Sequence, residues 1–234
     1  MASARPSLGF LNLERGPSPP PPRAGALLNP ATFDFAIIVE TVEGAWADRV
    51  LPGDPTLEPA CIAAAQRLVA RGAVAIGANC GFFIRHQAAV AASVKVPVAL
   101  SSLLLMPVLL RQLPPKAKLA VVTADSRIFG EDLFGGCSPG DRARIVVGGV
   151  EGGALLRNEM MRPPPPTEDA DIEADVLARI AQLRAAHPEI AALLFECTAF
   201  PRVSASVRRK TGLPVYDTTT LCRMTMASVT SPAA

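Results

Sequence analysis

Two cysteines in this 234-residue chain, Cys80 and Cys197, occupy positions where parallel α/β proteins usually place their chemistry. Each follows an apolar run typical of a buried strand and precedes a segment typical of a helix. In open parallel sheets, ligands bind beyond the carboxyl ends of the strands. The positive end of the following helix lowers the pKa of a thiol toward neutrality and offers a seat for a carboxylate. These positions therefore suit proton transfer by thiols.

An internal repeat relates the two cysteines, which lie 117 residues apart. The same offset aligns Pro97 with Pro214, within a common strand, turn, helix and strand context. The repeat predicts two similar α/β halves, each with a parallel sheet flanked by helices. A pseudo-twofold axis between the halves would bring the two thiols face to face across a cleft. Facing thiols in that arrangement can remove a proton from one face of a carbon and return one to the other.

The elements that must position these thiols follow from the alternation of short aliphatic runs with alanine-rich segments, which predicts an α/β fold. We expect the first half to comprise residues 1–105 and 216–234, with Cys80, and the second to comprise residues 106–215, with Cys197. Strands are predicted at residues 8–13, 35–42, 73–78, 98–100, 119–123, 145–150, 191–196 and 215–217. Helices are predicted at residues 59–70, 84–93, 106–113, 169–186 and 201–211.

The amino-acid composition limits the kinds of molecule that the protein is expected to bind. Half of the residues are hydrophobic, 19% are charged and the net charge is +2, so the chain should fold and has no electrostatic footprint for nucleic acid or an anionic membrane. No apolar run suits a membrane span. No phosphate-loop spacing follows a strand, which excludes a nucleotide cofactor of that type. A small-molecule partner is expected, and the oligomeric state is open, with a homo-oligomer as one alternative.

The remaining cysteines, Cys61, Cys137 and Cys222, lack the context of a strand end before a helix. Five cysteines without a CxxC pair fit neither a disulfide framework nor a zinc site. We interpret these three as structural. No secretion signal is predicted, and a reducing cytoplasmic location is the expectation.

The two cysteine segments, GANCGFF at residues 77–83 with Gln87 and FECTAFP at residues 195–201, resemble the aspartate/glutamate racemase superfamily. That superfamily includes hydantoin racemases, maleate isomerases and arylmalonate decarboxylases. The segment NPATF at residues 29–33 is similar to one found in an uncharacterised two-cysteine branch. The resemblance spans nearly the whole chain and is poorly specific for substrate.

The resemblance implies two four-stranded parallel α/β domains, an active site between them and no need for a metal or an organic cofactor. It implies that Cys80 and Cys197 form an acid/base pair, with the direction of reaction deciding which is the base. The substrate would be a small carboxylate bound beside the cysteines and beyond two other strand ends. The residues expected to bind it are Asn79, Gly81 and Thr198, and less strongly Asn12 and Thr123.

This sequence differs from those of the well-studied glutamate racemases at positions that bear on which substrate is bound. Asn12 to Arg15 stand where those enzymes have an Asp-Ser pair, and Ala199 stands in place of a histidine. The expected function is thus a cofactor-independent racemase or epimerase acting on an amino acid or a hydantoin-like compound. The alternatives are a maleate-type isomerase, a decarboxylase and a non-catalytic ligand-binding protein. The decarboxylase resemblance would predict only the second cysteine.

Other polar residues have weaker patterns. His86 and His187 are expected in ordinary surface or helix-capping roles. Glu196 either orients the neighbouring thiol or points away from it, whereas Asp125 and Asp217 follow strands and could contact the substrate. The proline run at residues 19–22 is interpreted as a stiff surface linker, with a lid over the site as the alternative.

Overall fold

The computed structural model describes residues 6–230, which divide into two compact units. Unit 1 contains residues 6–101 and 219–230 of this range, and unit 2 contains residues 102–218. Residues 1–5 and 231–234, which are predicted to belong to the first half, lie outside the described residues.

Unit 1 is built on a parallel sheet with the strand order β2-β1-β3-β4. Its core strands are short aliphatic runs whose inner residues are buried, as expected when helices cover both faces of a sheet. The strands are β1 (Ser7–Asn12), β2 (Ala36–Thr41), β3 (Ala73–Ala78) and β4 (Val98–Ala99). The helices before unit 2 are α1 (Ala47–Val50), α2 (Glu58–Ala70) and α3 (Gln87–Ser93), with 3₁₀ turns at Pro30–Thr32, Pro55–Leu57 and Gly81–His86.

Unit 2 repeats this topology with the strand order β6-β5-β7-β8, again parallel throughout. Its strands are β5 (Lys118–Thr123), β6 (Ile145–Gly149), β7 (Ile190–Phe195) and β8 (Val215–Tyr216). Its helices are α4 (Met106–Gln112), α5 (Pro139–Arg142), α6 (Ala154–Glu159), α7 (Asp169–Ala186) and α8 (Pro201–Thr211), with 3₁₀ turns at Ser102–Leu105, Ser126–Ile128 and Glu131–Phe134. The predicted fold class, two parallel four-stranded sheets flanked by helices, is confirmed.

All eight predicted strands are present, and their limits differ from the prediction by at most one residue. The predicted helix at residues 84–93 is instead a 3₁₀ turn over Gly81–His86 followed by α3. A further helix, α9 (Thr218–Val229), was not predicted, because it begins with three β-branched threonines of low helix propensity. Cys222 and Met226 of α9 pack against Phe10 of β1, so burial in unit 1 outweighs that weak propensity.

Each unit has its own apolar core. In unit 1, Phe10 and Leu8 of β1 pack with Phe33 from the loop between β1 and β2. In unit 2, Phe195 of β7 packs edge to face with Phe200, at 5.4 Å between ring centroids. Burial of such a side chain contributes roughly 1.5–3 kcal/mol. Phe195 and Phe200 lie two and three residues from Cys197 in the sequence. Among residues 6–230, no helix is both long and apolar enough to span a bilayer.

Candidate functional site

Cys80 is held at the carboxyl edge of unit 1, two residues beyond the end of β3. It is 7% exposed. It lies immediately before the 3₁₀ turn and has extended backbone angles. Its carbonyl oxygen accepts a hydrogen bond from the backbone N–H of Phe83 at 3.2 Å, which closes that turn. Gly81, the first residue of the turn, is also buried. The thiol therefore lies where the chain changes from strand to helical turn.

Asn12 and Asn79 meet at the same edge. The backbone N–H of Asn79 donates to Leu11 O at 2.8 Å, which extends the pairing of β1 with β3 by one residue. The side-chain amide Nδ2 of Asn79 donates to Oδ1 of Asn12 at 2.9 Å. Both were predicted as substrate-binding residues. The structure brings their side chains together beside Cys80, and their contact with a substrate stays a prediction.

Cys197 occupies the corresponding place at the carboxyl edge of unit 2, two residues beyond the end of β7. It is half-buried, and its carbonyl oxygen accepts from the backbone N–H of Phe200 at 3.1 Å. Thr198, predicted to bind substrate, is 9% exposed and lies three residues before α8. Phe195, the last residue of β7, is fixed by the Ser102 hydroxyl, which donates to its carbonyl oxygen at 2.6 Å.

Thr123 and Glu196 form the buried polar contact of this second edge. The Thr123 hydroxyl donates to Oε2 of Glu196 at 2.8 Å, and both residues are fully buried. The backbone N–H of Glu196 donates to Val122 O at 2.9 Å. Thr123 was predicted to contact substrate, whereas in the structure its hydroxyl binds Glu196. Strand alternation alone left the direction of Glu196 open, and the structure directs its carboxyl group to Thr123.

At the carboxyl edges of the two sheets, the backbone is thus arranged in the same way, but the side chains differ. In each, the residue before the cysteine bonds to the residue that ends the neighbouring strand: Asn79 to Asn12 in unit 1, and Glu196 to Thr123 in unit 2. This pairing arises because the strand registers match, with Leu11 opposite Ala78 and Val122 opposite Phe195. The repeat is therefore structural as well as sequential. Each unit presents one thiol beside one polar pair.

Gln87 and Ser204, which also lie 117 residues apart, secure the helix that follows each cysteine. The Gln87 amide donates to Val98 O at 2.9 Å and accepts from the backbone N–H of Leu100 at 2.9 Å. The Ser204 hydroxyl donates to Oδ2 of Asp217 at 2.6 Å. Gln87, part of the resemblance motif, thus has a structural role, and Asp217 has a partner within unit 2.

Asp125, the other acid that follows a strand, is buried and accepts from Nε and Nη2 of Arg127 at 2.8 and 2.7 Å. The side-chain hydrogen bond from Arg127 lowers the pKa of this carboxyl group. Among the described residues no group of three or more His, Cys, Asp or Glu side chains could hold a metal ion.

The cysteines interpreted as structural are buried. Burial raises the pKa of the Cys61 thiol to about 12, and burial also raises the pKa of Cys137. Cys222 packs in the core of unit 1. A thiol with a raised pKa is protonated at neutral pH and is a poor base. Cys61 is therefore a suitable control for substitutions of the two edge cysteines.

The surface role expected of His86 is wrong. This residue ends the 3₁₀ turn after Cys80 and is 2% exposed, and its Nε2 has no hydrogen-bond partner among the described residues. Burial lowers its pKa, with a smaller lowering from Arg85, while Glu58 and Asp54 oppose the shift. His187, in contrast, caps the end of α7 as expected. The burial of His86 could not be predicted from the sequence pattern, because the side of the element on which a residue lies is known only once the limits of the 3₁₀ turn are known.

Buried neutral His86 should make folding sensitive to mild acid. Its pKa in the folded protein lies below the ordinary value near 6.5, so the unfolded chain binds a proton first. The free energy of unfolding should therefore fall as pH decreases below about 6.5, by at most about 1.4 kcal/mol per pH unit. Urea unfolding between pH 7.5 and 5.5 measures this slope. His86→Phe should remove it and His187→Gln, at the other histidine, should retain it; an equal slope in His86→Phe would contradict the assignment.

Comparison with proteins of known sequence finds relatives that are named dimethylsulfoniopropionate lyases. The chain is 30% identical, over 90% of its length and 71% of the relative's, to a dimethylsulfoniopropionate lyase of Durusdinium sp. clade D. It is 31% identical to dimethylsulfoniopropionate lyase 5 of Emiliania huxleyi, over 71% of this chain but 36% of that protein. The chain thus spans about a third of the second relative's length. No family model matches the sequence.

Comparison with solved structures identifies the fold. Allantoin racemase from Klebsiella pneumoniae matches with a TM-score of 0.60 at 10% identity, covering 96% of this chain and 87% of that one. Glutamate racemase from Francisella tularensis, solved with D-glutamate, matches with a TM-score of 0.55 at 13% identity, covering 98% and 84%. A liganded arylmalonate decarboxylase variant matches at 0.59 with 16% identity, covering 97% and 94%. The resemblance to the aspartate/glutamate racemase superfamily is confirmed at the level of the fold.

Proposed function

The chain belongs to the dimethylsulfoniopropionate lyase family, and from this premise we propose that it is a lyase that cleaves dimethylsulfoniopropionate, or a closely related sulfonium carboxylate, by β-elimination. The products would be dimethyl sulfide and acrylate. The observation that carries the proposal is the likeness to dimethylsulfoniopropionate lyases over most of the chain, and the cysteine at a strand end of each unit supplies a base. Such thiols suit removal of a proton next to a carboxylate.

The elimination balances with the groups that the chain supplies. A cysteine thiolate accepts a proton from the carbon next to the carboxylate and becomes a thiol. The electron pair of that C–H bond forms the double bond of acrylate, and the bond from the β-carbon to sulfur breaks. Sulfur takes that bonding pair and leaves as neutral dimethyl sulfide. The thiol then returns its proton to solvent, so no redox step is required.

Carboxylate binding is the other requirement, because the proton is acidic only if the developing negative charge is stabilised. Asn79 and Gly81 flank Cys80, and Thr198 follows Cys197 at the start of the segment that leads into α8. We propose that these residues bind the substrate carboxylate, through the amide of Asn79, the hydroxyl of Thr198 and backbone N–H groups. No metal or organic cofactor enters the proposed reaction.

Racemisation is the second candidate, since it begins with the same proton removal. It is favoured by the second cysteine, because elimination of a sulfonium group needs one base and no proton donor for the leaving group. A racemase uses the second thiol to return a proton to the opposite face of the carbon. The substrate would be an amino acid or a hydantoin-like compound, as the superfamily resemblance implies.

Headspace gas chromatography tests the proposed lyase directly. We expect dimethyl sulfide to be released from dimethylsulfoniopropionate by the full chain. We expect no volatile product from 3-(methylthio)propionate, whose neutral thioether is a far poorer leaving group. The same samples, supplied with single enantiomers of aspartate, glutamate and allantoin, are followed by polarimetry. Loss of optical rotation without sulfide release would transfer support from the lyase to the racemase.

A further inference from the structure

Two arginines, Arg85 and Arg202, each lie five residues beyond one of the two edge cysteines. They are 117 residues apart, so the internal repeat relates them as it relates Cys80 to Cys197. Arg85 lies in the 3₁₀ turn Gly81–His86, and Arg202 lies in the first turn of α8. The turn whose first hydrogen bond is accepted by the cysteine carbonyl therefore leads directly to the arginine in both units.

In unit 1, Arg85 connects this turn to the segment that follows the outer strand β2. We call that segment, residues 42–51, the β2 flank. It begins at the carboxyl edge of the sheet, where the backbone N–H of Val42 donates to Asn12 O at 2.9 Å. At its other end, Nη1 of Arg85 donates to Leu51 O at 2.6 Å. The β2 flank is thus held by β1 at one end and by the cysteine turn at the other.

The packing around Arg85 fixes its side chain in this position. The guanidinium lies over the ring of Phe82, with 5.4 Å between its central carbon and the ring centroid, and Phe82 is itself a buried residue of the turn. Gly53 has a φ of +81°, and a Cβ atom there would overlap Cδ of Arg85. The lack of a side chain at Gly53 therefore leaves the room that Arg85 needs to reach the β2 flank.

Unit 2 has an equivalent connection. We call residues 150–167, which follow the outer strand β6, the β6 flank. It begins where the backbone N–H of Val150 donates to Thr123 O at 3.1 Å. At its other end, Nη2 of Arg202 donates to Thr167 O at 2.8 Å. The two flanks differ in length, yet each is held at its far end by the same residue of the repeat.

We propose that Arg85 and Arg202 are positioning residues, each of which holds the flank of its unit against the cysteine turn and so keeps the cysteine shielded and fixed at the carboxyl edge. Cys80 is 7% exposed, so a reagent in solution reaches its thiol when this edge opens locally. A hydrogen bond from a charged donor opposes such opening. The kinetic consequence rests on the proposed function, because the arginine of the unit that supplies the base would keep that base aligned with the substrate C–H bond.

Alkylation by iodoacetamide across pH 5.5–9.5, with each cysteine quantified by peptide mass spectrometry, tests this role without substrate. Arg85→Met retains a long apolar side chain but removes the donor. We expect it to make alkylation of Cys80 about tenfold faster at every pH and to change that of Cys197 less than about twofold. Arg85→Lys, which retains a charged donor, should retain most of the protection of Cys80.

The corresponding substitution in unit 2 should have the opposite selectivity. In Arg202→Met we expect alkylation of Cys197 to be about threefold faster and that of Cys80 to stay unchanged. The effect is smaller because Cys197 is more exposed than Cys80 and depends less on local opening.

The sign of the change separates this role from a purely electrostatic one. A guanidinium that acted through its charge would lower the pKa of a nearby thiol. Its removal would then slow alkylation near neutral pH and move the midpoint of the pH profile upwards. Slower or unchanged alkylation of the cysteine in the same unit, in folded Arg85→Met and Arg202→Met, would overturn the proposal.

Two further variants separate this effect from general destabilisation. Arg144→Met is the matched control, because Arg144 also donates to backbone carbonyls, those of Leu110 and Ala117 at 3.0 Å, but lies just before β6, at its amino end. It should lower stability and leave both alkylation profiles unchanged, and an acceleration equal to that in the other variants would contradict the proposal. Gly53→Ala displaces Arg85 without replacing it and should also accelerate alkylation of Cys80.

Sulfide release is a separate readout. In the arginine variant of the unit that supplies the base, we expect kcat to fall about tenfold with KM within about threefold of wild type. A wild-type chain that releases no sulfide would contradict the proposed function alone, and alkylation would still decide the role of the two arginines. Sulfide release by the wild-type chain with unchanged alkylation in both variants would contradict only the role of the arginines.

Discussion

Serine in place of the cysteine that acts as base, Cys80 or Cys197, is expected to lower the rate of dimethyl sulfide release by about a thousandfold, within the range of general acid–base contributions. The serine hydroxyl has nearly the same size but does not ionise near neutral pH. The variant with the large loss identifies the base, because the elimination needs one base and no proton donor for the leaving group. We expect that loss to act on kcat more than on KM. The measurement is headspace sulfide at saturating substrate.

Cys61→Ala is the matched control for these two variants. Cys61 is fully buried in α2 and its thiol pKa is raised to about 12, so it takes no part in proton transfer at neutral pH. Its replacement should leave sulfide release per folded molecule within about twofold of wild type. Full activity in both Cys80→Ser and Cys197→Ser would contradict the assignment of a cysteine as base. Equal loss in all three variants would point to misfolding instead of chemistry.

Alanine at Gly149 is expected to destabilise unit 2 by roughly 3 kcal/mol. Gly149 ends β6, opposite Thr123. A Cβ atom there would overlap the Glu151 carboxylate and the backbone nitrogen of Ser126. The hydrogen bonds from Ser126 N and Oγ to that carboxylate, at 3.1 and 2.7 Å, would be lost or displaced. Because Thr123 is the register partner, sulfide release should fall as well.

Urea unfolding measures this effect, with Gly136→Ala as the control. No atom lies within 4 Å of a Cβ at Gly136, and its φ is not positive, so this variant should unfold at nearly the wild-type urea concentration. An unchanged midpoint in Gly149→Ala would mean that Glu151 moves aside freely. The close packing of this strand end would then contribute little to the stability of unit 2.

The strands could be predicted from sequence because buried parallel strands are short, nearly continuous aliphatic runs. Between their first and last positions, the runs that became β1, β3, β5 and β7 contain only apolar residues and glycine. The repeat then placed Cys80 and Cys197 at equivalent strand ends without an alignment. These features are local in sequence, which is why the fold class could be predicted from the chain alone.

The polar contacts could not be predicted, because they depend on the register between strands far apart in sequence. Asn12 bonds to Asn79 across 67 residues, and Thr123 to Glu196 across 73. The burial of His86 and the helix α9 depend likewise on packing within unit 1. Alternation along one strand gives only two choices for Glu196, and its partner on β5 decides between them.

The type of reaction was harder to predict from the sequence than the type of residue that acts as the base. A cysteine at a strand end predicts removal of a proton next to a carboxylate, and this step is common to racemisation and to elimination. The fate of the resulting carbanion depends on whether the substrate carries a leaving group on the adjacent carbon. Asn12 and Ala199 stand where glutamate racemases have other residues. This difference argues against glutamate as the substrate, but it does not indicate a sulfonium compound.

Proton NMR of dimethylsulfoniopropionate incubated with the chain in deuterium oxide tests the central claim most directly. We expect the vinyl signals of acrylate and the methyl singlet of dimethyl sulfide to grow together, and to be absent when both Cys80 and Cys197 are replaced by serine. Exchange of the protons next to the carboxylate without acrylate formation would show proton removal without elimination and favour the racemase. An unchanged spectrum, with folded protein and both thiols open to alkylation, would contradict the proposed lyase.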